Sequence, residues 1–284
     1  MRPPTLTAAV APVLVGAGAA IREGQFAWAP ALAALVGAIC LQVGANFAND
    51  LFDFQRGADT HERLGPPRAA QMGLLDKRQL RLGMITVFAL ATLAGLYLVY
   101  AAGWPVVAVG LASIIGALIY TGGPWPAGYH ALGDLMTFVY FGVIAVAGTY
   151  FVQAGDVAAS AWWASLPMGF TVTAILVVNN LRDIATDRRS GKFTSGVLLG
   201  DRGTRWWYTI TIVAPYLTAI AAWPLGFANA WVLITLASLP MAVKLLRAVL
   251  GGQQGRALNL TLKATARFDL VFGGLFALAL ALSR

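Results

Sequence analysis

Charged residues are scarce in this sequence. Only 11% of the 284 residues are Asp, Glu, Lys or Arg, and just 12 residues are acidic. A soluble globular domain carries about 25% charged residues, so the composition excludes an ordinary soluble enzyme. The single cysteine, Cys40, excludes an intrachain disulfide. With so few carboxylates present, their positions are the best guide to function.

Long apolar runs, by contrast, are abundant, and 58% of the residues are hydrophobic. About 20 consecutive apolar residues suffice for a helix to cross the hydrocarbon core of a bilayer. Nine such runs occur, at roughly 6–21, 28–51, 82–102, 104–121, 133–154, 161–181, 207–224, 228–247 and 266–283. We therefore predict an all-α fold: a polytopic integral membrane helical bundle of about nine transmembrane helices with cytoplasmic cap loops. It forms a single domain over residues 1–284.

The basic residues are distributed asymmetrically across this topology. Only Arg22 and Arg284 fall on one side of the predicted membrane, and the other 18 of the 20 lysines and arginines fall on the opposite side. Cytoplasmic loops carry an excess of Lys and Arg, so we predict a cytoplasmic N-terminus. The net charge of +8 then reflects topology rather than nucleic-acid binding. Interfacial tryptophans are expected at the outer helix ends: Trp28, Trp104, Trp162, Trp163, Trp223 and Trp231.

Two clusters of carboxylates and carboxamides end predicted spans two and six. The first reads NFANDLFD, with Asn46, Asp50 and Asp53 on one helical face, and Asn49 beside Asp50. The second reads LVVNNLRDIATD and carries the residues Asn179, Asn180, Asp183 and Asp187. Both clusters lie at helix C-termini, where the helix dipole already places partial negative charge. Carboxylates in such a position require a cation.

The chemistry of the clusters indicates a Mg²⁺–diphosphate site. Mg²⁺ takes one or two carboxylates and fills its remaining positions with water and substrate phosphates. Each cluster is followed by arginines and lysines that can bind phosphate oxygens. The alternatives are solvated helix caps, hydrogen bonds between helices, or the ion pathway of a coupled transporter.

The motifs resemble those of a known family. NDLFDFQRGAD and NNLRDIATD are similar to the two Asp-rich motifs of the UbiA superfamily of intramembrane aromatic prenyltransferases. RLGPPRAAQMGLL, YTGGPWPAGYHALGD and LKATARFDLVF resemble the branch that uses 1,4-dihydroxy-2-naphthoate. The resemblance covers nearly the whole chain. It implies Mg²⁺-dependent transfer of a polyprenyl group from polyprenyl diphosphate to this acceptor, with loss of CO₂ and diphosphate, giving demethylmenaquinone for menaquinone biosynthesis.

The resemblance also implies roles for individual residues. Metal ligands would be Asp50, Asp53, Asp59, Asp183 and Asp187. Contacts to substrate or diphosphate would come from Asn46, Asn49, Arg63, Arg68, Asn180, Arg188 and Lys192, although the basic residues could instead serve topology and lipid headgroups. Tyr120 would lie near the allylic cation. The alternative is that Tyr120 anchors its helix at the lipid headgroups. The implied location is the prokaryotic cell membrane with the active site cytoplasmic, and no obligate protein partner is evident.

The sequence departs from the superfamily pattern at two positions. Gly57 stands where the general first motif has a third acid, and Asp59 is the nearest carboxylate. Near the N-terminus, Pro4 replaces an arginine typical of the branch. Among the acids outside the motifs, Asp134 and Asp269 lie near the cytoplasmic starts of predicted spans. We expect Asp134 to be a helix N-terminal charge, with contact to the aromatic substrate as the alternative, and Asp269 to pair with Arg267 or Lys263.

Three other functions are possible on the sequence. A UbiA-type enzyme could use 4-hydroxybenzoate, homogentisate, haem or a chlorophyllide as acceptor, which the GPPRAAQMG and YTGGPWPAGYHALGD blocks disfavour. An ion-coupled membrane transporter would leave the doubled Asp clusters with adjacent arginines unexplained. A CDP-alcohol phosphotransferase would carry a DG-x-x-AR run, which this sequence lacks.

Overall fold

The computed structural model describes residues 3–56, 64–65 and 72–284, apart from the side chains of residues 3 and 4. Within these residues the chain forms nine long helices and no β-strand. They are α1 (Pro3–Arg22), α2 (Trp28–Gln55), α3 (Lys77–Ala102), α4 (Pro105–Ile119), α5 (Gly133–Ala154), α6 (Ala159–Arg189), α7 (Ser195–Ala221), α8 (Ala230–Leu250) and α9 (Leu258–Ala281). The prediction of an all-helical bundle with about nine helices is confirmed.

Seven of the nine helices in the described chain are long and apolar enough to cross a bilayer. The exceptions are α4, which has only 15 residues, and α7, which is less apolar. Several hydroxyl-bearing side chains of α7 are buried against other helices rather than exposed to lipid, namely Thr204, Tyr208 and Thr211. A helix enclosed by protein needs less apolarity than one facing hydrocarbon.

Several helices extend beyond the apolar runs that predicted them. The predicted span at 207–224 belongs to α7, which begins at Ser195 and is kinked at Gly200, where φ is +66°. The predicted span at 266–283 belongs to a helix that begins at Leu258, and α6 continues to Arg189. The charged residues between the predicted spans, at 182–206 and 248–265, therefore lie largely in helices rather than in loops. The apolar pattern ends where the hydrocarbon ends, whereas backbone hydrogen bonding continues through charged residues until a breaking signal. Gly191, with a φ of +71°, follows the end of α6.

Helix α6 forms the centre of the bundle. In its most apolar stretch 72% of the residues are buried, against 17% for α3 at the periphery. A row of buried phenylalanines on α9 packs between α6 and α7: Phe268, Phe272 and Phe276. Small residues bring the helices into close contact. At the crossing of α5 and α6, a Cβ added to Gly142 would lie 2.4 Å from the Cα of Gly169.

Tryptophans mark the helix ends that lie opposite the two Asp clusters. Trp28, Trp104, Trp162, Trp223 and Trp231 are all exposed there, as interfacial anchors require. Trp163 differs, because it is half-buried and donates its indole N–H to the carbonyl of Thr218 at 2.7 Å.

In α5, residues Phe138–Ile144 form a π-helical segment. Such segments often occur at functional sites, and this one lines the cavity described below.

Candidate active site

The two Asp clusters face each other across one cavity. Helices α2 and α6 end at the same end of the bundle, here called the polar end. All eight carboxylates and carboxamides of the two clusters line the same cavity: Asn46, Asn49, Asp50, Asp53, Asn179, Asn180, Asp183 and Asp187. An ion pair joins the two sides, because Lys192, just beyond α6, lies 3.1 Å from Asp53 on α2. Tertiary structure thus unites motifs separated by about 130 residues in sequence.

The Asp53 carboxylate is buried, and its donors include side chains of two connections. Its Oδ1 accepts hydrogen bonds from the Tyr129 hydroxyl at 2.7 Å and from Lys192 Nζ at 3.1 Å. Two cations lie over the Tyr129 ring, with Lys192 Nζ 4.6 Å and Arg56 Cζ 5.3 Å from the ring centroid. Cation–π contacts of this kind hold the ring in place. Asp53 is therefore oriented by groups from two separate connections.

Backbone pairing explains how these connections meet. The Phe193 N–H donates to the Tyr129 carbonyl at 3.0 Å, which places the neighbouring Lys192 beside the Tyr129 ring. The turn after α4 is closed by Gly128, whose N–H donates to the carbonyl of Tyr120 at 2.8 Å. Tyr120 itself lines the cavity, as its predicted role requires. Thr121 in this turn donates to Asn49 Oδ1 at 2.8 Å and so ties the turn to the first cluster.

The second cluster is built around a buried arginine that sequence analysis did not single out. Arg182 donates through Nε and Nη2 to the two oxygens of the Asp183 carboxylate, at 2.8 and 2.5 Å. It also donates to Asn179 Oδ1 at 2.8 Å and to Asn259 Oδ1 on α9 at 2.9 Å. Asn259 in turn donates to the carbonyl of Leu64 at 2.9 Å. The sequence did carry a signal for Arg182, because it lies inside a membrane helix beside Asp183, and intramembrane charges are costly unless they are paired.

Asp187 lies in the last turn of α6. Its Oδ2 accepts from the Thr194 hydroxyl at 3.3 Å, and its backbone carbonyl accepts from the Lys192 N–H at 2.9 Å. Thr194 is also the N-cap of α7. The link 190–194 therefore fixes the last carboxylate of the second cluster and the first turn of the next helix at the same time.

The donor set suits magnesium ions that share phosphate ligands. In the described part of the chain, no three His, Cys, Asp or Glu side chains are grouped closely enough to form a metal cage by themselves. Instead the carboxylates lie on two sides of the cavity. On one side Lys192 forms an ion pair with Asp53, and on the other Arg182 forms an ion pair with Asp183. Mg²⁺ requires only one or two carboxylates when substrate phosphates supply further oxygens. The residues therefore fit Mg²⁺ bound together with a diphosphate.

Below the polar end, the cavity continues as a long apolar chamber. Its volume is about 1050 Å³. Along α2 the lining extends from Asp53 to Ala34, a helical distance of about 28 Å. Leu96 of α3 and Leu111 of α4 line the cavity, and each residue is more than half exposed. The chamber wall formed by these two helices is therefore accessible.

The other predicted residues fall into different positions. Asn46 donates to Thr5 Oγ1 on α1 at 3.0 Å. Asn180 donates to Asp134 at 3.3 Å and to Ser195 at 3.0 Å, so its amide connects helices. Arg188 is exposed and lies outside the cavity lining, whereas the adjacent Arg189 lines the cavity. Asp59, Arg63 and Arg68 lie outside the described residues.

Asp134 and Asp269 are both bonded to other helices of the bundle. Asp134 accepts from the Trp207 indole at 2.8 Å and from Asn180, so it joins α5, α6 and α7 and does not line the cavity. Asp269 is fully buried and accepts from the Thr171 hydroxyl at 2.8 Å. The expected pairing of Asp269 with Arg267 or Lys263 is wrong, because Asp269 points into the core of the bundle.

Tyr129, Arg182, Arg189 and Lys263 line the cavity, although none was a predicted site residue. Tyr129 belongs to a connection without acidic or basic residues before Asp134, and Lys263 is separated from both motifs by at least 75 residues of sequence. Only Arg182 and Arg189 carried a local signal, since they adjoin the second motif. The remaining two could be found only from packing.

Comparison with known proteins agrees with this geometry. The chain matches the UbiA prenyltransferase family over residues 9–267. A relative from Mycobacterium tuberculosis, named 1,4-dihydroxy-2-naphthoate octaprenyltransferase, is 40% identical over 281 residues, which cover 99% of this chain and 94% of the relative.

Solved structures share the fold. A UbiA homologue from Aeropyrum pernix K1 superposes with a TM-score of 0.74 at 16% identity, covering 95% of this chain and 96% of that chain. A UbiA homologue from Archaeoglobus fulgidus, solved with GPP and Mg²⁺ bound, gives a TM-score of 0.66 at 14% identity, covering 99% and 97%. From the family match, the full-length relative and the shared fold, we conclude that this chain is an integral membrane protein and belongs to the UbiA prenyltransferase family.

Proposed function

We propose that this protein transfers a polyprenyl group from polyprenyl diphosphate to 1,4-dihydroxy-2-naphthoate. The electron-rich naphthoate ring forms a C–C bond to the allylic carbon, and the allylic C–O bond breaks to release diphosphate. The carboxylate leaves as CO₂, and its bonding pair restores the aromatic ring, giving demethylmenaquinone in its reduced form. The observation that carries this proposal is the pair of opposed carboxylate clusters at the polar end of a long apolar cavity. The name of the Mycobacterium tuberculosis relative supports the choice of acceptor.

The carboxylates would hold Mg²⁺ from both sides of the cavity. We assign Asp50 and Asp53 to one side and Asp183 and Asp187 to the other, with Asn49 beside them. Bound Mg²⁺ neutralises the charge that develops on the leaving diphosphate. Asp59 remains a predicted ligand from the sequence.

Protein cations would bind the phosphate oxygens that the metal leaves free. Lys192 lies at the junction of the two clusters and Arg189 lines the cavity, so both can reach a bound diphosphate. Arg63, Arg68 and Arg188 stay candidates on the sequence alone. When a diphosphate enters, Lys192 can exchange its contact with Asp53 for one with phosphate, which leaves that carboxylate to the metal.

The chamber would protect the allylic cation and store its tail. Tyr120 and Tyr140 line the cavity just below the carboxylates, where aromatic faces can stabilise a positive charge. The Tyr140 hydroxyl donates to the Ala112 carbonyl at 3.0 Å, which holds this ring of α5 against α4. Apolar walls below exclude water from the cation. An opening at the exposed leucines of α3 and α4 would let a tail longer than the chamber extend into lipid.

We further propose that residues 1–284 act as a single transmembrane prenyltransferase domain in a prokaryotic cell membrane. The N-terminus and the polar end face the cytoplasm. This orientation rests on the distribution of basic residues, because 18 of 20 belong to the side of the predicted topology that carries the two clusters. Soluble naphthoate then reaches the site from the aqueous phase, and the prenyl donor reaches it from the membrane.

The test is a prenyl-transfer assay on purified protein in detergent. Dihydroxynaphthoate and a polyprenyl diphosphate are supplied with Mg²⁺ or EDTA, and prenylated naphthoquinone and diphosphate are measured together. We expect Mg²⁺-dependent product that Asp183→Ala abolishes. The matched control Asp156→Ala, at an exposed position at the opposite end of the bundle, should retain activity. Diphosphate release without the naphthoquinone would overturn the acceptor, and loss of both products in folded wild-type protein would overturn the enzyme.

A further inference from the structure

One cation of the cavity lies apart from the carboxylate clusters. On α9 the cavity is lined by Asn259, Leu262 and Lys263. Asn259 accepts from Arg182, and so stands at the level of the second cluster. Lys263 follows one turn later, which places it about 6 Å deeper along the helix.

Packing on both sides defines where this face of α9 points. The next turn carries Ala266, which is buried in a cluster with Ala8 of α1 and with Val172 and Ile175 of α6. Those three partners also line the cavity. Residues at i, i+3, i+4 and i+7 share one helical face. Lys263 therefore lies between a polar layer above and an apolar layer below, at the wall where α1, α6 and α9 meet.

Lys263 has no bonded partner in the described structure, unlike two other cations of the cavity. Arg182 is bound to Asp183, and Lys192 is bound to Asp53. No hydrogen bond or ion pair joins Lys263 to any residue that the structure describes, and Asp269, six residues further along α9, is bonded to Thr171 instead. Lys263 is exposed and lines the cavity, so its ammonium group is available to bind an anion that enters there.

We propose that Lys263 binds the carboxylate of the aromatic acceptor, an inference that rests on the proposed function. The wall around it is apolar and built from small or branched side chains, Ala8, Val172, Ile175 and Leu262, which suits a flat aromatic ring. A carboxylate at Lys263 holds that ring one turn below the diphosphate position, on the side of the cavity opposite the apolar walls of α3 and α4. The product lacks the carboxylate, so it loses this contact when the reaction is complete.

Lys263 would thus determine acceptor specificity rather than take part in bond breaking. A charge-assisted hydrogen bond to a carboxylate contributes about 1.5–3 kcal/mol, so its loss corresponds to roughly a 10- to 100-fold change in affinity. The effect should be confined to acceptors that carry a carboxylate. The prenyl donor binds at the two clusters and should not depend on Lys263.

The experiment compares equilibrium binding of two unreactive compounds, 1-hydroxy-2-naphthoate and 1-naphthol, to wild-type protein and to Lys263→Met. We expect Lys263→Met to weaken binding of the naphthoate about 10- to 100-fold and to leave binding of the naphthol unchanged, with Lys263→Arg restoring most of the loss. Lys244→Met, at an exposed position on α8 outside the cavity, is the matched control and should bind both compounds as wild type does. In turnover, KM for dihydroxynaphthoate should rise while KM for polyprenyl diphosphate stays constant.

Equal weakening of both compounds, or a rise in KM for the prenyl donor alone, would overturn the role of Lys263. A wild-type protein that makes no prenylated naphthoquinone would instead overturn the proposed function. The binding comparison needs neither metal nor donor, so it decides the role of Lys263 independently of turnover. Unchanged melting temperatures of both methionine variants confirm that the comparison is made on folded protein.

Discussion

Replacing Arg182 with methionine tests whether a buried arginine holds the second carboxylate cluster together. Methionine retains much of the aliphatic stem and removes the guanidinium. In the wild-type protein this side chain is 2% exposed and donates four hydrogen bonds, two of them to Asp183. Removing it leaves a carboxylate and two carboxamide oxygens without their donor.

The size of the effect follows from the burial of the pair. Removing one partner of a buried ion pair costs about 3–5 kcal/mol. The Asp183 side chain keeps 16% of its surface exposed, so water or added Mg²⁺ can solvate part of the released charge. We therefore expect the lower limit, a loss of about 3 kcal/mol in the free energy of unfolding. At roughly 2–4 °C per kcal/mol, the melting temperature should fall by roughly 6–12 °C.

The assay is thermal unfolding in detergent, followed by fluorescence of the nine tryptophans. Wild type, Arg182→Met, Asp183→Asn and the double variant form a mutant cycle. Because the uncompensated carboxylate is then absent, the double variant should melt above Arg182→Met. Arg202→Met, at an exposed position of α7, is the matched control and should melt as wild type does. Additive effects of the two single substitutions would refute the reasoning.

Three further predictions concern other parts of the bundle. Tyr129→Phe keeps the ring but removes the hydrogen bond to Asp53. We expect the affinity for Mg²⁺ to fall about tenfold, measured by Mg²⁺ titration of activity and by Mn²⁺ binding. Asp269→Ala should lower the free energy of unfolding by about 0.5–1.5 kcal/mol, because it removes the hydrogen bond from the Thr171 hydroxyl, which keeps only the Met168 carbonyl as acceptor, whereas Asp269→Asn should unfold near wild type. Gly142→Ala should destabilise the protein by about 1–3 kcal/mol, measured by melting, because its Cβ would meet the backbone of α6 at 2.4 Å.

Each of these predictions has a control. Tyr129→Phe should melt within a few degrees of wild type, and a large loss of stability would mean that the hydroxyl acts on folding rather than on the metal site. Equal melting of the two Asp269 variants would show that the contact to Thr171 contributes nothing. Gly148→Ala adds the same methyl group on α5 where no atom lies within 4 Å, so it should leave the melting temperature unchanged.

Much of the architecture could be predicted from local properties of the sequence. Apolar runs of sufficient length indicate membrane helices because the bilayer removes water from the backbone, which must then satisfy its own hydrogen bonds. The spacing of Asp50 and Asp53, and of Asp183 and Asp187, places each pair on one helical face because 3.6 residues complete a turn. Both inferences require only neighbouring residues, and both agree with the helices and the cavity.

The partners of the carboxylates depended on tertiary structure. Asp53 is bonded to Tyr129 and Lys192, which lie 76 and 139 positions away in sequence. Arg188 and Arg189 are adjacent in sequence, yet only Arg189 lines the cavity. No sequence pattern distinguishes two neighbouring arginines at a helix end, because the direction of each side chain is set by the helices packed against it.

The acceptor side of the cavity shows the same division. Lys263 belongs to a block that resembles the naphthoate branch. The sequence does not distinguish it from Arg267, another basic residue of the same helix. Only the packing of Ala266 against α1 and α6 turns Lys263 toward the cavity. Apolarity and helical period act over a few residues and can be read from the chain. The choice of partners depends on close contacts such as that of Gly142 with Gly169, which exist only after the helices have assembled.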